Sequence, residues 1–267
     1  MFYCGINMIQ SIKKGRRFMF IKNEKQLFKV LFLLAPLSLN TFSKSETKEA
    51  VFVIGAPRSG TSCIAGVLEI LGVDYGNHLF KADEFNEKGY FEDELLHLIS
   101  REMFAELGIS TLYPRIIDWS QESKKEEFKM MARTTLQKFR GKSFGIKYPD
   151  ASFVLPVYIE SMIELGYTPK LVIVLRNPDE IVESWLKRWG IPAHETYAVI
   201  SKIYLNIIRD THGYDTLVIY YDDMLNDTEK VVNRMTHFIS GLKSYDEAKA
   251  ELNNFIDGSL KHHTVSA

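Results

Sequence analysis

Apolar residues along this chain fall into two kinds of block that alternate from about residue 50 onward. Short apolar runs occupy 51–54, 143–146, 170–175 and 217–220. None alternates apolar with polar positions, as a strand with one wet face would, so each predicts a strand covered on both faces. In the stretches between and after them, apolar residues return every three or four positions. That period predicts helices over 61–71, 93–107, 121–139, 151–165, 178–188, 194–212, 229–240 and 245–254. Pro178 stands where a first helical turn tolerates proline, with Asn177 ahead of it as an N-cap. Strands separated by helices need right-handed crossovers, so the pattern predicts a three-layer α/β/α domain around a central, mostly parallel sheet. Ligands of such sheets bind beyond the carboxyl ends of the strands. Arg58, Lys147 and Arg176 each follow a predicted strand end, which brings three cations to one edge.

The first strand runs into Gly55-Ala56-Pro57-Arg58-Ser59-Gly60-Thr61-Ser62 and then into a helix. A strand that turns through glycines into a helix N-terminus aims backbone N–H groups and the positive end of the helix dipole at one point, which suits an anion. The spacing from Gly55 to Gly60 matches the P-loop G-x-x-x-x-G-K-[ST], with Thr61 where that motif has lysine. The cation sits inside the loop instead, at Arg58. This combination disfavours an ordinary ATPase and favours another phosphate-bearing donor.

Five blocks, in order, resemble the sulfotransferase family over roughly residues 50 to 264. The P-loop is similar to the family's P-[KR]-[ST]-G-[ST]-[ST]. Phe144-Gly145-Ile146-Lys147-Tyr148-Pro149-Asp150 resembles its strand-then-Lys-x-Pro block, with Tyr148 where the common form has Asp. The segment 171–184, with Arg176-Asn177-Pro178 and then Ser184, resembles the 3′-phosphate block, and 218–225 the strand and turn that follow. Phe255-Ile256-Asp257-Gly258-Ser259-Leu260-Lys261-His262-His263 resembles a tail of bacterial members.

The resemblance implies 3′-phosphoadenosine 5′-phosphosulfate (PAPS) as donor and transfer of its sulfuryl group to a hydroxyl of a carbohydrate, lipid or small metabolite. It puts Gly55, Ala56, Pro57, Arg58, Ser59, Gly60, Thr61 and Ser62 on the 5′ end of the donor. It puts Arg176 and Ser184 on the 3′-phosphate, with Arg188 one turn beyond to assist, and Lys261 in a basic tail over the nucleotide. Arg58 and Lys147 are the expected stabilisers of the sulfonate and the bridging oxygen.

The base stays open between two candidates. A carboxylate that several relatives carry about twenty residues past the loop cation falls here at His78, whose ordinary pKa near 6.5 suits the task. Glu92 is the other, in Asn86-Glu87-Lys88-Gly89-Tyr90-Phe91-Glu92-Asp93, which is similar to a stretch of bacterial members; Asp93 and Glu84 stand behind them. Glu92 also reads as a helix-capping carboxylate. A P-loop kinase and a non-catalytic nucleotide-binding protein on the same fold are the competing readings.

Composition narrows the field. A chain of 267 residues with 46% apolar content has material for one sizeable core, here 49–267. A formal net charge of −1 excludes a nucleic-acid binder that depends on a broad basic surface. Two cysteines, Cys4 and Cys63, make no disulfide framework, so a reducing compartment is expected; the resemblance implies the cytoplasm, where PAPS is made. No ligand cluster calls for a metal, and no segment sets an oligomeric state. Residues 1–48 form an extension with Lys13, Lys14, Arg16 and Arg17 ahead of an apolar stretch, 27–39. An export signal, membrane association through 13–39 and a non-native start compete there. Segments 72–88 and 108–126 are the expected builders of the acceptor pocket, with 108–114 as a lid.

Overall fold

The computed structural model describes residues 48–84, 86–139 and 142–256. Four strands, β1 (Lys48–Gly55), β2 (Phe144–Lys147), β3 (Tyr167–Leu175) and β4 (Thr216–Tyr220), form one all-parallel sheet in the order β2-β1-β3-β4. The register sets Val53 beside Lys147 on one side and Val172 on the other. All four runs predicted from the apolar pattern are strands, and β1 is lengthened at both ends. β1 lies between β2 and β3, so its C-terminus opens at the middle of the sheet edge.

Successive side chains of a strand face opposite ways, and β1 uses both faces. Val51 and Val53 join a buried cluster with Ile64 and Leu68 of α1 (Thr61–Ile70), Val232 of α8 (Thr228–Phe238) and Leu252 of α9 (Tyr245–Phe255). Phe52, fully buried, turns the other way, edge-on to Tyr158 of α4 (Leu155–Glu164) at 5.8 Å. Three further helices, α2 (Glu94–Leu107), α3 (Lys125–Leu136) and α6 (Ala193–Thr211), and α5 (Pro178–Trp189) complete the long elements. This is the three-layer arrangement the apolar pattern predicts.

Local chemistry explains where boundaries differ. The helix expected over 121–139 starts at Lys125, because Asp118 and Glu122 bind the amides of Ser120 and Lys124 with their own side chains and compete with helix. Its last turn tightens to a 3₁₀ helix, Gln137–Phe139. The helix expected over 151–165 is split into a 3₁₀ turn, Pro149–Phe153, and α4. Pro156 has no N–H to carry the ladder across that junction. A short helix, α7 (Tyr221–Asn226), occupies part of what reads as strand and turn. Asn177 caps α5 as expected, accepting from the Asp179 amide at 3.0 Å.

Gly66 marks where α1 meets the Phe255 ring of α9: a Cβ there would lie 2.2 Å from the ring. Helix propensity alone makes Gly→Ala favourable by about 1 kcal/mol. Overpacking costs about 1–3 kcal/mol, so Gly66→Ala is expected to lower the melting temperature, against the propensity trend. Among the described residues no helix is long and apolar enough to cross a membrane. The extension up to residue 47, Cys4 and the tail from 257, with Lys261, lie outside the described residues.

Candidate functional site

The chain leaves β1 at Gly55, where a Cβ would sit 2.7 Å from the Val174 carbonyl oxygen, so only glycine lets the turn approach β3. It passes through Arg58 at φ 73° and Gly60 at φ 93° before α1 begins. Gly60 faces the Tyr221 ring, 2.2 Å from where a Cβ would be. α1 has no side-chain cap and no acidic residue in its first turn, so nothing negative within that turn offsets its free amides and dipole. A cavity of about 570 Å³ opens over this turn. Pro57, Arg58, Gly60, Thr61 and Ser62 line it, while Gly55, Ala56 and the fully buried Ser59 shape the turn behind it.

Three guanidinium groups, Arg58, Arg176 and Arg188, line the same cavity. Arg58 Nε donates to Ser184 Oγ at 3.0 Å, tying the loop to α5. Arg176 donates Nη1 to the Arg58 carbonyl at 3.2 Å and Nε to Glu180 at 2.7 Å, and its guanidinium lies over the Tyr221 ring at 4.9 Å. Arg188 donates to the Tyr90 hydroxyl at 3.2 Å. Burial, then the like charges of Arg188 and Arg176, push the Arg58 guanidinium below its ordinary value. Like charges gathered at an uncapped helix N-terminus are costly without an anion. Trp185 closes the back: fully buried, it donates Nε1–H to the Pro57 carbonyl at 2.9 Å and packs edge-on to Trp189 at 5.0 Å. Packing is what the one-turn spacing of these tryptophans predicts. Trp189, half exposed, also lines the cavity.

Across the cavity, the buried Lys147 and the partly buried Glu92 form an ion pair at 2.5 Å. The two expected roles, sulfonate stabiliser and base, thus fall on partners in direct contact. Glu92 is not the helix cap: Asp93 is, accepting from the Leu95 and Leu96 amides at 3.1 and 3.0 Å and pairing with Lys138. Asp93 is therefore held in a structural role, and it is not among the cavity residues. Glu84 lines the cavity as an exposed side chain. His78 is exposed and outside the lining; its carbonyl accepts from the Glu94 amide at 2.9 Å. Of the two base candidates, the fold brings only Glu92 to the cavity.

Both segments expected to build the acceptor pocket contribute: Glu84, Asn86, Glu87 and Lys88 from one, Thr111 and Leu112 from the other. Asn86 donates to Ser62 Oγ at 3.1 Å, pinning the first segment to the first turn of α1. Sequence reasoning missed His97 and passed over Asp150, which stands inside a quoted block; both line the cavity. The one signal for Asp150 was its place three residues past Lys147 at a strand end.

Burial, with Glu92 nearby, raises the Asp150 carboxyl to about 6, although the Thr111 hydroxyl donates to it at 2.7 Å. The unfolded chain releases that proton near pH 4, so the folded state is the one that holds more protons in between. Stability is full below about pH 4 and falls as pH rises through about 6, by up to about 3 kcal/mol. Melting curves should show Asp150→Asn gaining on the parent protein at pH 7.5 and losing that gain at pH 4. Cys63 lines the cavity floor, but burial pushes its thiol up to about 12, so it is inert at neutral pH. Among the described residues no group of three or more His, Cys, Asp or Glu is placed to hold a metal ion.

No protein-family model matches this chain, and no curated protein matches it. Among solved structures it is similar to the sulfotransferase domain from the curacin biosynthetic pathway, at 17% identity and a TM-score of 0.46, over 83% of this chain and 82% of that one. It is also similar to mouse sulfotransferase SULT7A1 complexed with PAP, at 16% identity and a TM-score of 0.41, over 84% and 69%. A protein from Chloroflexus aurantiacus provisionally described as a kinase matches at 14% and 0.38, over 73% and 100%. With likenesses this distant, the functional reading rests on the site itself.

Proposed function

We propose that this chain is a sulfotransferase that moves the sulfuryl group of PAPS to an acceptor hydroxyl. The observation that carries the reading is the meeting of Arg58, Arg176 and Arg188 at the uncapped N-terminus of α1, in a loop whose Walker lysine is replaced by Thr61. One terminal phosphate needs one cation and the loop amides. A donor with a 5′-phosphosulfate and a separate 3′-phosphate needs anion sites at two places, and guanidinium groups grip such groups bidentately.

In the reaction an acceptor oxygen forms a new S–O bond as the bridging S–O bond breaks. The bond pair stays on the phosphate oxygen, and adenosine 3′,5′-bisphosphate leaves. Lys147 and Arg58 stabilise the charge that builds on the bridging oxygen and sulfonate. As Lys147 turns to that oxygen it releases Glu92, whose carboxylate takes the acceptor proton. Pairing the two in the resting enzyme keeps both buried charges compensated until the donor arrives.

Calorimetric titration tests the donor directly. Tight binding of adenosine 3′,5′-bisphosphate with weak ATP supports the reading, and the reverse order supports a kinase. Donor binding without label transfer to any acceptor in a host-cell extract would make the chain a nucleotide-binding protein without activity.

A further inference from the structure

Beyond the residues given to the donor and to chemistry, one corner of the cavity holds polar atoms that the fold leaves unsatisfied. The Tyr148 hydroxyl, His97 Nδ1 and Asp150 Oδ1 are shielded from solvent and have no hydrogen-bond partner among the described residues, yet all three residues line the cavity. Tyr148 is 3% exposed and follows directly on Lys147 at the end of β2. The His97 ring, on the first turn of α2, stands edge-on to the Tyr148 ring at 5.0 Å and to Phe80 at 5.0 Å. Thr111 occupies the other Asp150 oxygen at 2.7 Å and so sets the plane of the carboxylate. The charge of Glu92, which lines the same cavity, is felt by all three groups.

We propose that this corner is the acceptor subsite and that it takes a polyhydroxylated compound, a sugar or cyclitol with neighbouring hydroxyls, rather than a phenol or a lipid alcohol. The inference rests on the sulfotransferase reading. The three atoms differ in what they ask for: a carboxylate oxygen accepts, a phenol hydroxyl donates and accepts, an imidazole nitrogen does one or the other by tautomer. Burial holds the Tyr148 phenol neutral and the His97 imidazole below its ordinary value, so both remain neutral polar partners at pH 7. Neighbouring hydroxyls each donate and accept, so two or three of them meet all these demands while a further one reaches Glu92. A single hydroxyl spends itself on Glu92 and leaves the corner unsatisfied. Sites built around buried polar groups reject analogues that lack the matching hydroxyl far more steeply than apolar pockets reject a missing methylene. Tyr148 also accounts for the one departure within the Lys-x-Pro block: the residue beside the cation is a neutral hydroxyl group rather than a carboxylate.

The test gives the full chain radiolabelled PAPS and two acceptor sets: methyl glucoside, sucrose and myo-inositol against para-nitrophenol, cyclohexanol and dodecanol. Label is expected on the polyols. Tyr148→Phe should raise the KM for the best polyol about tenfold, while kcat and the Kd for adenosine 3′,5′-bisphosphate stay within about twofold. His97→Leu should do the same, and His97→Gln, which keeps a donor and an acceptor, should recover most of the loss. Preferential labelling of the single-hydroxyl set overturns the inference and leaves the sulfotransferase reading standing. So does a Tyr148→Phe protein whose melting temperature shifts while its acceptor KM does not, since that is the mark of a merely structural hydroxyl. Bound bisphosphate with no label on either set also counts against the polyol subsite. Failure to bind adenosine 3′,5′-bisphosphate at all sinks the underlying reading instead, and the titration shows that separately.

Discussion

Arg58→Ala is expected to lower turnover by about a hundredfold to a thousandfold, the usual loss when one preorganised donor to the developing charge is removed. Arg58 is the cation inside the 55–62 turn, held in the left-handed region at φ 73° and tied to Ser184 through Nε at 3.0 Å. A non-glycine residue there is strained by about 1–2 kcal/mol, so alanine inherits the strain without the hydrogen bond that offsets it. Single-turnover rates with saturating PAPS read the chemical step directly. Arg58→Lys restores charge without the fork and should recover only part of the rate. An Arg58→Ala enzyme with full turnover would remove Arg58 from the chemistry and leave it as a packing residue between Ser184 and Arg176.

Glu92→Gln carries the second large effect. Loss of a positioned base costs about a hundredfold to ten-thousandfold in turnover. The same change leaves the Lys147 ammonium, 3% exposed, without its carboxylate partner. Breaking a buried pair from one side destabilises by about 3–5 kcal/mol, so the variant should also melt earlier. The two effects separate by assay: turnover per mole of folded, bisphosphate-binding protein reports the base, and the melting curve reports the pair. A variant that melts early but turns over normally per folded molecule would make Glu92 a structural counter-ion. His78→Ala is the matched control. Exposed and outside the cavity lining, it should leave both readouts unchanged.

Much of this molecule was legible in its sequence. Apolar runs mark the strands, and β1 to β4 lie where those runs fall. β1 and β2 are buried on both faces as expected, whereas the edge strand β4 alternates buried with more exposed positions because, among the described residues, no strand pairs with its outer side. The glycines at 55 and 60 are required by backbone contact and a positive φ, both of which the strand-turn-helix pattern anticipates. Arg176 lies beside the 55–62 turn, at a strand end as the sequence pattern places it, and bonds the Arg58 carbonyl. Legibility failed where several local signals were compatible with one residue. Glu92 reads both as a base and as a cap, and only the hydrogen bonds from the Leu95 and Leu96 amides assign the cap to Asp93, which the sequence offered only as a further base. His78 matched a spacing along the chain, but the backbone around it pairs with Glu94 and leaves the side chain in solvent.

The chain's own pattern therefore determined the layer architecture, the glycine-bounded turn from β1 into α1 and the edge on which its cations gather. Periodicity and turn chemistry are properties of neighbours in sequence, and these features need nothing more. Tertiary structure alone decided which groups meet: Lys147 with Glu92, 55 residues apart, and Arg58 with Ser184, 126 apart. It also decided that the hydroxyl of Tyr148 and the ring of His97 share a buried corner. Those pairings depend on the strand order that sets β1 between β2 and β3. Long-range contacts of this kind arise from the burial of whole faces at once, a collective property that no local run of residues encodes.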